Sequence, residues 1–552
     1  VLACELISRP YVNMGVADDW PYILSANLLA KTGHIVYNGW AAPILGWQLY
    51  VGAAMIKLFG FSFTSVRMGT LLVAMVMAFL LQRILVQANI SDRNATLGTL
   101  ALVLSPLYLM LSVTYMTDIY GLFAILVCLY GCLRALKASS SRSTIGWLCF
   151  AVATNAVCGT SRQLGWLGVL VMVPSTLWLL RSRRSAFLAG AIANLAGVAF
   201  VLACIHWFGK QPYTLPEHLL VPSLPLAHSL AAICYFFMDF PFLLLPLAAL
   251  FLPEIRNSRP RVIAIVCAFS LVYILLAIHW RQTHPNLLLE PTMRDWVNVH
   301  GIFEGNSLQG TPPIFLSFGV RVVFTIVALG GILGLVTSLL GTRPTPPPAA
   351  VSSAISWYQL GVLLAPFTIA YTLLLIPRAA VSVIYDRYTL GLLVVAMLCI
   401  TRYYQDRINP RLPLAGFALV TIMAIYGVAA THNLFALYRA RAAMAAELRA
   451  AGIPDTSVDN GWEYNIGVEL QHADHINEDT IVVPRGAYVP SPPLPAGICP
   501  MHGSDYTPHV IPLYGVSFDP NQCYGPAPFA PVTYSRWLAS SPGTLYVVRY
   551  VQ

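Results

Sequence analysis

The sequence predicts a polytopic α-helical membrane protein carrying a small α+β domain at its C-terminal end. Three observations predict it. Hydrophobic residues make up 57% of the 552 and charged ones only 10%, with a mean hydropathy of +0.68. Apolar runs near the length of a bilayer span recur along most of the chain. After about residue 433 that pattern stops and Gly, Pro, Asp and His become frequent.

The runs fall at 64–87, 95–114, 119–137, 145–160, 164–180, 186–207, 229–252, 261–280, 315–341, 357–377, 386–402 and 413–432. A span takes about 20 apolar residues, so these count as about twelve. Val1–Ile7 reads as the end of one more span, so the sequence is expected to be truncated at its start, with about thirteen spans in the full chain. Segments 20–31 and 41–59 are amphipathic. Their Trp20, Tyr22, Trp40, Trp47 and Tyr50 suit helices lying at the membrane interface, inside a first loop at 8–63. Pro344, Pro346, Pro347 and Pro348 mark a linker. The domains expected are therefore 1–432, in the membrane, and 433–552. The second reads as a helix at 436–451 followed by strands at 480–484, 509–516 and 544–551. No repeat with a solenoid period is visible.

Lys and Arg total 32 against 23 Asp and Glu, a net charge of +9. In a soluble protein such a balance suggests nucleic acid. Here the cations sit in every second short loop: Arg93, then Arg134, Lys137 and Arg142, then Arg181, Arg183 and Arg184, then Arg256, Arg259 and Arg261, then Arg343, then Arg402, Arg407 and Arg411. By the positive-inside rule those loops are cytoplasmic, and no nucleic-acid partner is expected. The other loops are then extracytoplasmic. They hold nearly all the unusual polar residues: Asp18 and Asp19, the turn at Asp118, Ser161-Arg162-Gln163, the 209–228 and 281–314 loops, and Tyr385-Asp386-Arg387.

Most of the 11 cysteines lie in apolar runs, where Cys behaves as a small hydrophobe. Cys499 and Cys523 share the polar C-terminal region, and an extracytoplasmic location would allow them either to form a disulfide or to stay free. Cys128 and Cys132 lack the companions of a metal site. His279, His284 and His300, with Arg281 and Arg294, enrich one loop without tight ligand spacing. There is no P-loop, GxSxG, HExxH or dinucleotide fingerprint, which argues against a nucleotide-fuelled cytoplasmic enzyme.

An adjacent Asp pair in a charge-poor chain is either a wet loop or a site. Mutual repulsion tends to raise one pKa and suits a general base. Asp118 is either a helix N-cap or a functional carboxylate at membrane depth, and its cost there favours function. Arg162 and Arg387 break the charge rule by lying on the outer side. They are read either as snorkelling or locally paired cations or as an anion site.

In order and sidedness these residues resemble the GT-C membrane glycosyltransferases, in the bacterial branch related to protein O-mannosyltransferases and aminoarabinose transferases (glycosyltransferase family 39). The resemblance covers about 1–432. It rests on Asp18-Asp19 followed by Ala26, Leu29 and Gly33, on Arg67 opening the next span, on Met116-Thr117-Asp118, on Arg162-Gln163 and on Arg387-Tyr388-Thr389-Leu390. Two departures stand out: Asp-Asp where Asp-Glu is commoner, and Thr-Leu-Gly after Arg-Tyr where Leu-Pro is usual. The C-terminal domain resembles nothing placed.

The resemblance implies an inverting enzyme of the plasma (inner) membrane. It would move a sugar from a polyprenyl-phosphate donor to a hydroxyl of a glycolipid, glycan or protein acceptor, with its site and C-terminal domain extracytoplasmic. Asp18 is then the base, with Asp19 and Asp118 orienting the acceptor or assisting. Arg387, Arg162 and Tyr388 would hold the donor phosphate, and Gln163, Tyr115 and Arg67 would support the acceptor or the structure. No cofactor or metal is required; a divalent metal is compatible but unsupported, and the oligomeric state is open. The alternatives are a secondary transporter, for which paired repeats and broken helices in matching halves are missing, and a non-catalytic assembly protein. The enzyme reading requires Asp18, Asp118 and Arg387 to converge on one cavity.

Overall fold

The computed structural model describes residues 1–215, 225–257, 260–280, 289–291, 296–302, 308–341, 355–381, 384–481, 488 and 496–552. Arg281, His284, Arg294, the Pro-rich 344–348 stretch and residues 482–484 of the expected strand at 480–484 lie outside them.

A short helix, α1 (Leu2–Ser8), leads into the first loop. That loop holds two helices, α2 (Asp19–Thr32) and α3 (Gly46–Phe59), close to the amphipathic segments expected. Trp20 and Tyr22 are buried within the protein rather than set at an interface, while Tyr50 is exposed. Trp20 is 1% exposed and lies against Trp40, with ring centroids 6.1 Å apart.

Helix α4 (Phe63–Gln87) starts at a capping box. Ser62 accepts from Ser65 N at 2.9 Å, and Ser62 N donates to Ser65 Oγ at 3.1 Å. Its 25 residues reach about 37 Å, enough to cross a bilayer core. The run at 95–114 is not one rod. It forms α5 (Asp92–Val103) and α6 (Pro106–Ser112), bent by 70°. Pro106 disfavours helix in the residue before it, and Ser105 caps the new helix by accepting from Tyr108 N.

Helix α7 (Thr117–Lys137) is buried nearly all round and occupies the centre of the bundle. It packs against α4 and against α8 (Ser141–Cys158). The segment after α8 is irregular before it becomes α9 (Val173–Leu179). Buried Asn155 causes this. Its amide donates to Ala124 O of α7 and to Gly165 O and accepts from Val169 N, taking two backbone groups of this segment away from a regular helix.

Helix α10 (Arg184–Phe208) is the reverse of α7, apolar and mostly uncovered by protein. Then follow α11 (Leu226–Leu243), α12 (Leu245–Ala248), α13 (Pro260–Trp280), a two-stranded antiparallel ribbon of β1 (Val297–Asn298) and β2 (Gly301–Ile302), α14 (Phe318–Gly341), α15 (Trp357–Leu375) and α16 (Leu390–Arg407). Among the described residues seven helices are long and apolar enough to cross a membrane, or eight if the bent pair is one span.

Helix α17 (Leu414–Ala450) merges the run at 413–432 with the helix expected at 436–451. It passes through the expected domain boundary without a break. Beyond it stands one mixed sheet in the order β3 (Val458–Asp459), β4 (Tyr514–Ser517), β6 (Gly543–Arg549), β5 (Val532–Tyr534). The β3–β4 pair is parallel and the others antiparallel, with α18 (Trp462–Ala473) beside β3. Cys499 and Cys523 form a disulfide. The sheet domain docks on α17: His432 stacks on Trp537 at 3.8 Å, and Asn433 exchanges hydrogen bonds with the Trp537 backbone at 3.2 and 2.6 Å.

The polar groups divide between the two ends of the bundle. At one end lie Asp18, Asp118, Arg162, Arg387 and the sheet domain. At the other, Lys137 donates to Asn89, and Asn89 and Arg402 both donate to Ile355 O.

Candidate active site

The acidic pair is split at the start of α2. Ala17 holds a left-handed backbone (φ 53°), and the two following carboxylates take different partners. Asp19 is fully buried. It accepts from Arg67 at 2.7 and 3.1 Å, from Val16 N at 2.9 Å and from Tyr115 N at 3.3 Å. Arg67 donates two further N–H groups to Val12 O and Met14 O. Asp19 and Arg67 therefore clamp the first loop to α4 and to the turn before α7, and the four hydrogen bonds that Asp19 accepts leave its carboxylate nothing over for a ligand. Tyr115 belongs to the same frame. Its hydroxyl donates to Gln48 O at 2.5 Å and its carbonyl accepts from Gln48 Nε2 at 2.9 Å.

Asp18 keeps an opening, with its side chain 29% exposed. One oxygen lies 3.9 Å from Arg387. The Trp462 indole, at the first position of α18, donates to the same carboxylate. Burial pushes the Asp18 pKa up, and Glu463 adds to that; Arg387 and Trp462 hold it down. Repulsion from Asp19 is the least of these causes, because Arg67 already neutralises that neighbour. The expectation that the pair's own repulsion tunes the base thus gives way to desolvation.

Asp118 stands one residue inside α7. It does not cap the helix: Met116 occupies the cap position, without a side-chain bond. Its carboxylate is buried and pairs with Arg162 through one oxygen, while the other faces Arg387 Nε at 3.9 Å. The irregular stretch after α8 delivers Arg162 here. Gly121, one helical turn on from Asp118, lets the arginine stem lie against α7; a Cβ there would come 3.0 Å from Arg162 Cβ. Gln163 anchors the same stretch by donating to Ala42 O at 3.0 Å.

Arg387 thus lies between Asp18 and Asp118. Aromatic faces hold it, with Tyr385 at 4.6 Å, Trp296 at 5.3 Å and Tyr388 at 5.7 Å from its guanidinium carbon. Arg162 covers Tyr388 at 4.3 Å, and Tyr371 donates to the Tyr388 carbonyl at 3.0 Å. Asp386 does not pair locally with the Arg387 side chain in place of these contacts. Its carboxylate accepts from the backbone N–H groups of Trp296, Val297 and Arg387, tying β1 to the start of α16.

Asp118, Arg162, Tyr371 and Arg387 line a cavity of about 10 Å³, with Asp18 reached across Arg387. That is room for about one water.

Asp18, Asp118, Arg162, Arg387 and Tyr388 therefore come together. Asp19, Arg67, Tyr115 and Gln163 form the frame around them. His300 is apart, its ring bonded to the backbone carbonyls of Pro312 and Pro313, and burial lowers its pKa. Among the described residues no group of His, Cys, Asp and Glu is placed to hold a metal.

Two residues at this end escape the sequence reading. Trp462 lies far from Asp18 along the chain, and nothing local marks it. Arg378 follows α15, and its guanidinium lies 5.2 Å from the Tyr388 ring. The signal for it was present, since it is one more arginine on the side where cations are otherwise few.

No protein-family model matches the chain. No curated protein matches it in sequence. Among solved structures it is similar to ArnT from Cupriavidus metallidurans in the apo state, at 15% identity over 85% of this chain and 83% of that one, with TM-score 0.41. The same protein bound to undecaprenyl phosphate is similar at 13% identity over 99% and 96%, with TM-score 0.40. The archaeal oligosaccharyltransferase AglB from Archaeoglobus fulgidus, in complex with an inhibitory peptide and a dolichol-phosphate, is similar at 11% identity over 79% and 54%, with TM-score 0.36. These are GT-C glycosyltransferases, the group the sequence resembles. At such scores the likeness assigns no role to any residue here.

Proposed function

We propose that this chain is an inverting membrane glycosyltransferase that takes a sugar from a polyprenyl-phosphate donor on the extracytoplasmic face. The observation that carries the reading is the placement of Arg387 3.9 Å from both Asp18 and Asp118, with Arg162 paired to Asp118. A carboxylate with an opening, beside arginines restrained by carboxylates and aromatic rings, has the parts that such a transfer needs.

In this reading an acceptor hydroxyl oxygen attacks the anomeric carbon and passes its proton to Asp18. The bond from that carbon to the phosphate oxygen breaks, and the electron pair stays on the departing polyprenyl phosphate. Arg387 and Arg162 stabilise the charge that develops there. Asp118 keeps the two guanidinium groups aligned between turnovers, and Asp19 with Arg67 fixes the loop that carries the base. One displacement inverts the anomeric configuration. The acceptor class, whether glycolipid, glycan or protein, is not distinguished by these contacts.

The test is transfer from a polyprenyl-phosphate sugar by the purified full chain in lipid nanodiscs. Asp18→Asn is expected to lose roughly a hundredfold or more in rate, the scale of a general base. Asp118→Asn is expected to lose less and to raise KM for the donor. Undiminished transfer by both variants overturns the assignment.

A further inference from the structure

We propose that Arg378 is a third phosphate-binding arginine of this site, which captures the polyprenyl phosphate before Arg387 and Arg162 engage it. The proposal rests on the donor reading above and deepens it.

Arg378 lies in the turn Ile376–Ala380 that continues α15. Its guanidinium sits 5.2 Å from the Tyr388 ring and 5.8 Å from the Tyr385 ring. Those two rings also carry the other arginines. Arg162 is at 4.3 Å from Tyr388, and Arg387 at 4.6 Å from Tyr385. Three guanidinium groups thus share two tyrosine faces. Arg162 and Arg387 each lie within 4.0 Å of a carboxylate. Arg378 has no such carboxylate among the described residues, and Asp386 between them is taken up by three backbone N–H groups. Arg378 Nε is buried and lacks a hydrogen-bond acceptor among the described residues.

Grouping like charges and burying an N–H without an acceptor both cost free energy. An anion with several oxygens relieves both at once, and a phosphate ester offers them in a geometry that suits guanidinium groups. The neighbouring elements favour a lipid over a free phosphate. Further along, α15 and α9 bound an open, mostly apolar cleft of about 600 Å³ between Pro174 and Trp178 on one wall and Gly361 and Pro366 on the other. The stretch that holds Arg162 leads on into α9, and the turn that holds Arg378 continues α15, so both arginines stand at the ends of segments that offer apolar surface to a chain. Arg378 is half-buried and has no carboxylate to displace, so it is the arginine an incoming phosphate meets at least cost.

The experiment measures binding of sugar-free polyprenyl phosphate to the full chain in nanodiscs, by displacement of the radiolabelled lipid. Inorganic phosphate and the polyprenyl alcohol serve as competing probes. Arg378→Gln is expected to weaken polyprenyl phosphate binding roughly tenfold. It should raise KM for the donor by a similar factor and lower kcat at saturating donor much less. Arg378→Lys should recover part of the binding, since it restores the charge without the fork. A merely structural arginine would lower the melting temperature and would not separate KM from kcat. Wild-type affinity in Arg378→Gln overturns the proposal while leaving the glycosyltransferase reading intact. Displacement of the lipid by millimolar inorganic phosphate, at a level that Arg378→Gln abolishes, overturns the lipid source. Failure of the wild-type chain to bind polyprenyl phosphate at all overturns both readings.

Discussion

Replacing Asp19 by Asn strands the buried Arg67 guanidinium, whereas replacing Asp18 by Asn leaves no buried cation without a partner, because Arg387 keeps Asp118 at 3.9 Å. Breaking a buried pair costs about 3–5 kcal/mol. Asp19→Asn is therefore expected to lower the thermal unfolding midpoint in detergent sharply, and Asp18→Asn to leave it at or above that of wild type. The sign for Asp18 follows from its raised pKa. A carboxyl that holds its proton more tightly when folded gains stability as pH falls through that pKa, so its ionised form is a burden above it. The same shift gives a kinetic prediction. A base acts when deprotonated, so transfer should fall with acidification on a limb above the ordinary aspartate value of about 3.9. Trp462→Phe keeps the ring but removes the N–H that holds this pKa down, and it should move the limb to higher pH. An unmoved limb would mean that Trp462 does not act on Asp18.

At the scale of elements, the strongest commitment is the seam between α17 and the sheet domain. Asn433 makes two hydrogen bonds to the Trp537 backbone, and His432 Nε2 meets Ser535 Oγ at 2.8 Å. Asn433→Ala leaves a half-buried N–H and carbonyl of Trp537 without their partners, at a cost of about 1 kcal/mol each. Limited proteolysis should then cut first beyond residue 450, ahead of the membrane helices. Loss of the Cys499–Cys523 disulfide is expected to cost about 2–4 kcal/mol, read in the unfolding of the same domain. The broken helices belong to this scale as well. Hydropathy sees 95–114 and 164–180 as single runs, because it sums apolar character and is blind to where hydrogen bonds go. Pro106 was visible as a breaker. Asn155 acts across space on the segment from Gly165 to Val169, and no local reading of that segment contains it.

For the molecule as a whole, the two-ended distribution of polar groups makes topology testable. Asn94 of the sequon Asn94-Ala95-Thr96 is fully buried, and Asn89 of the other sequon is engaged by Ile355 and Lys137, so neither side chain is free for glycosylation. Cysteines placed at the exposed positions Ser91 and His502 should label with an impermeant reagent from opposite sides of the membrane. Labelling of both from one side would separate the site from the face proposed for it. The membrane class, the run of apolar helices, the C-terminal sheet and the charges set apart at one end were legible in the sequence. Each is a property of composition or period, and those survive without knowing any contact. Which carboxylate of the Asp18–Asp19 pair stays open was not legible, since both sit in the same local context. Only the folded chain decides it, by bringing Arg67 to one and Arg387 with Trp462 to the other. The physical reason is that a side chain's chemistry is set by its partners and its access to water, and here those partners come from segments distant in the sequence.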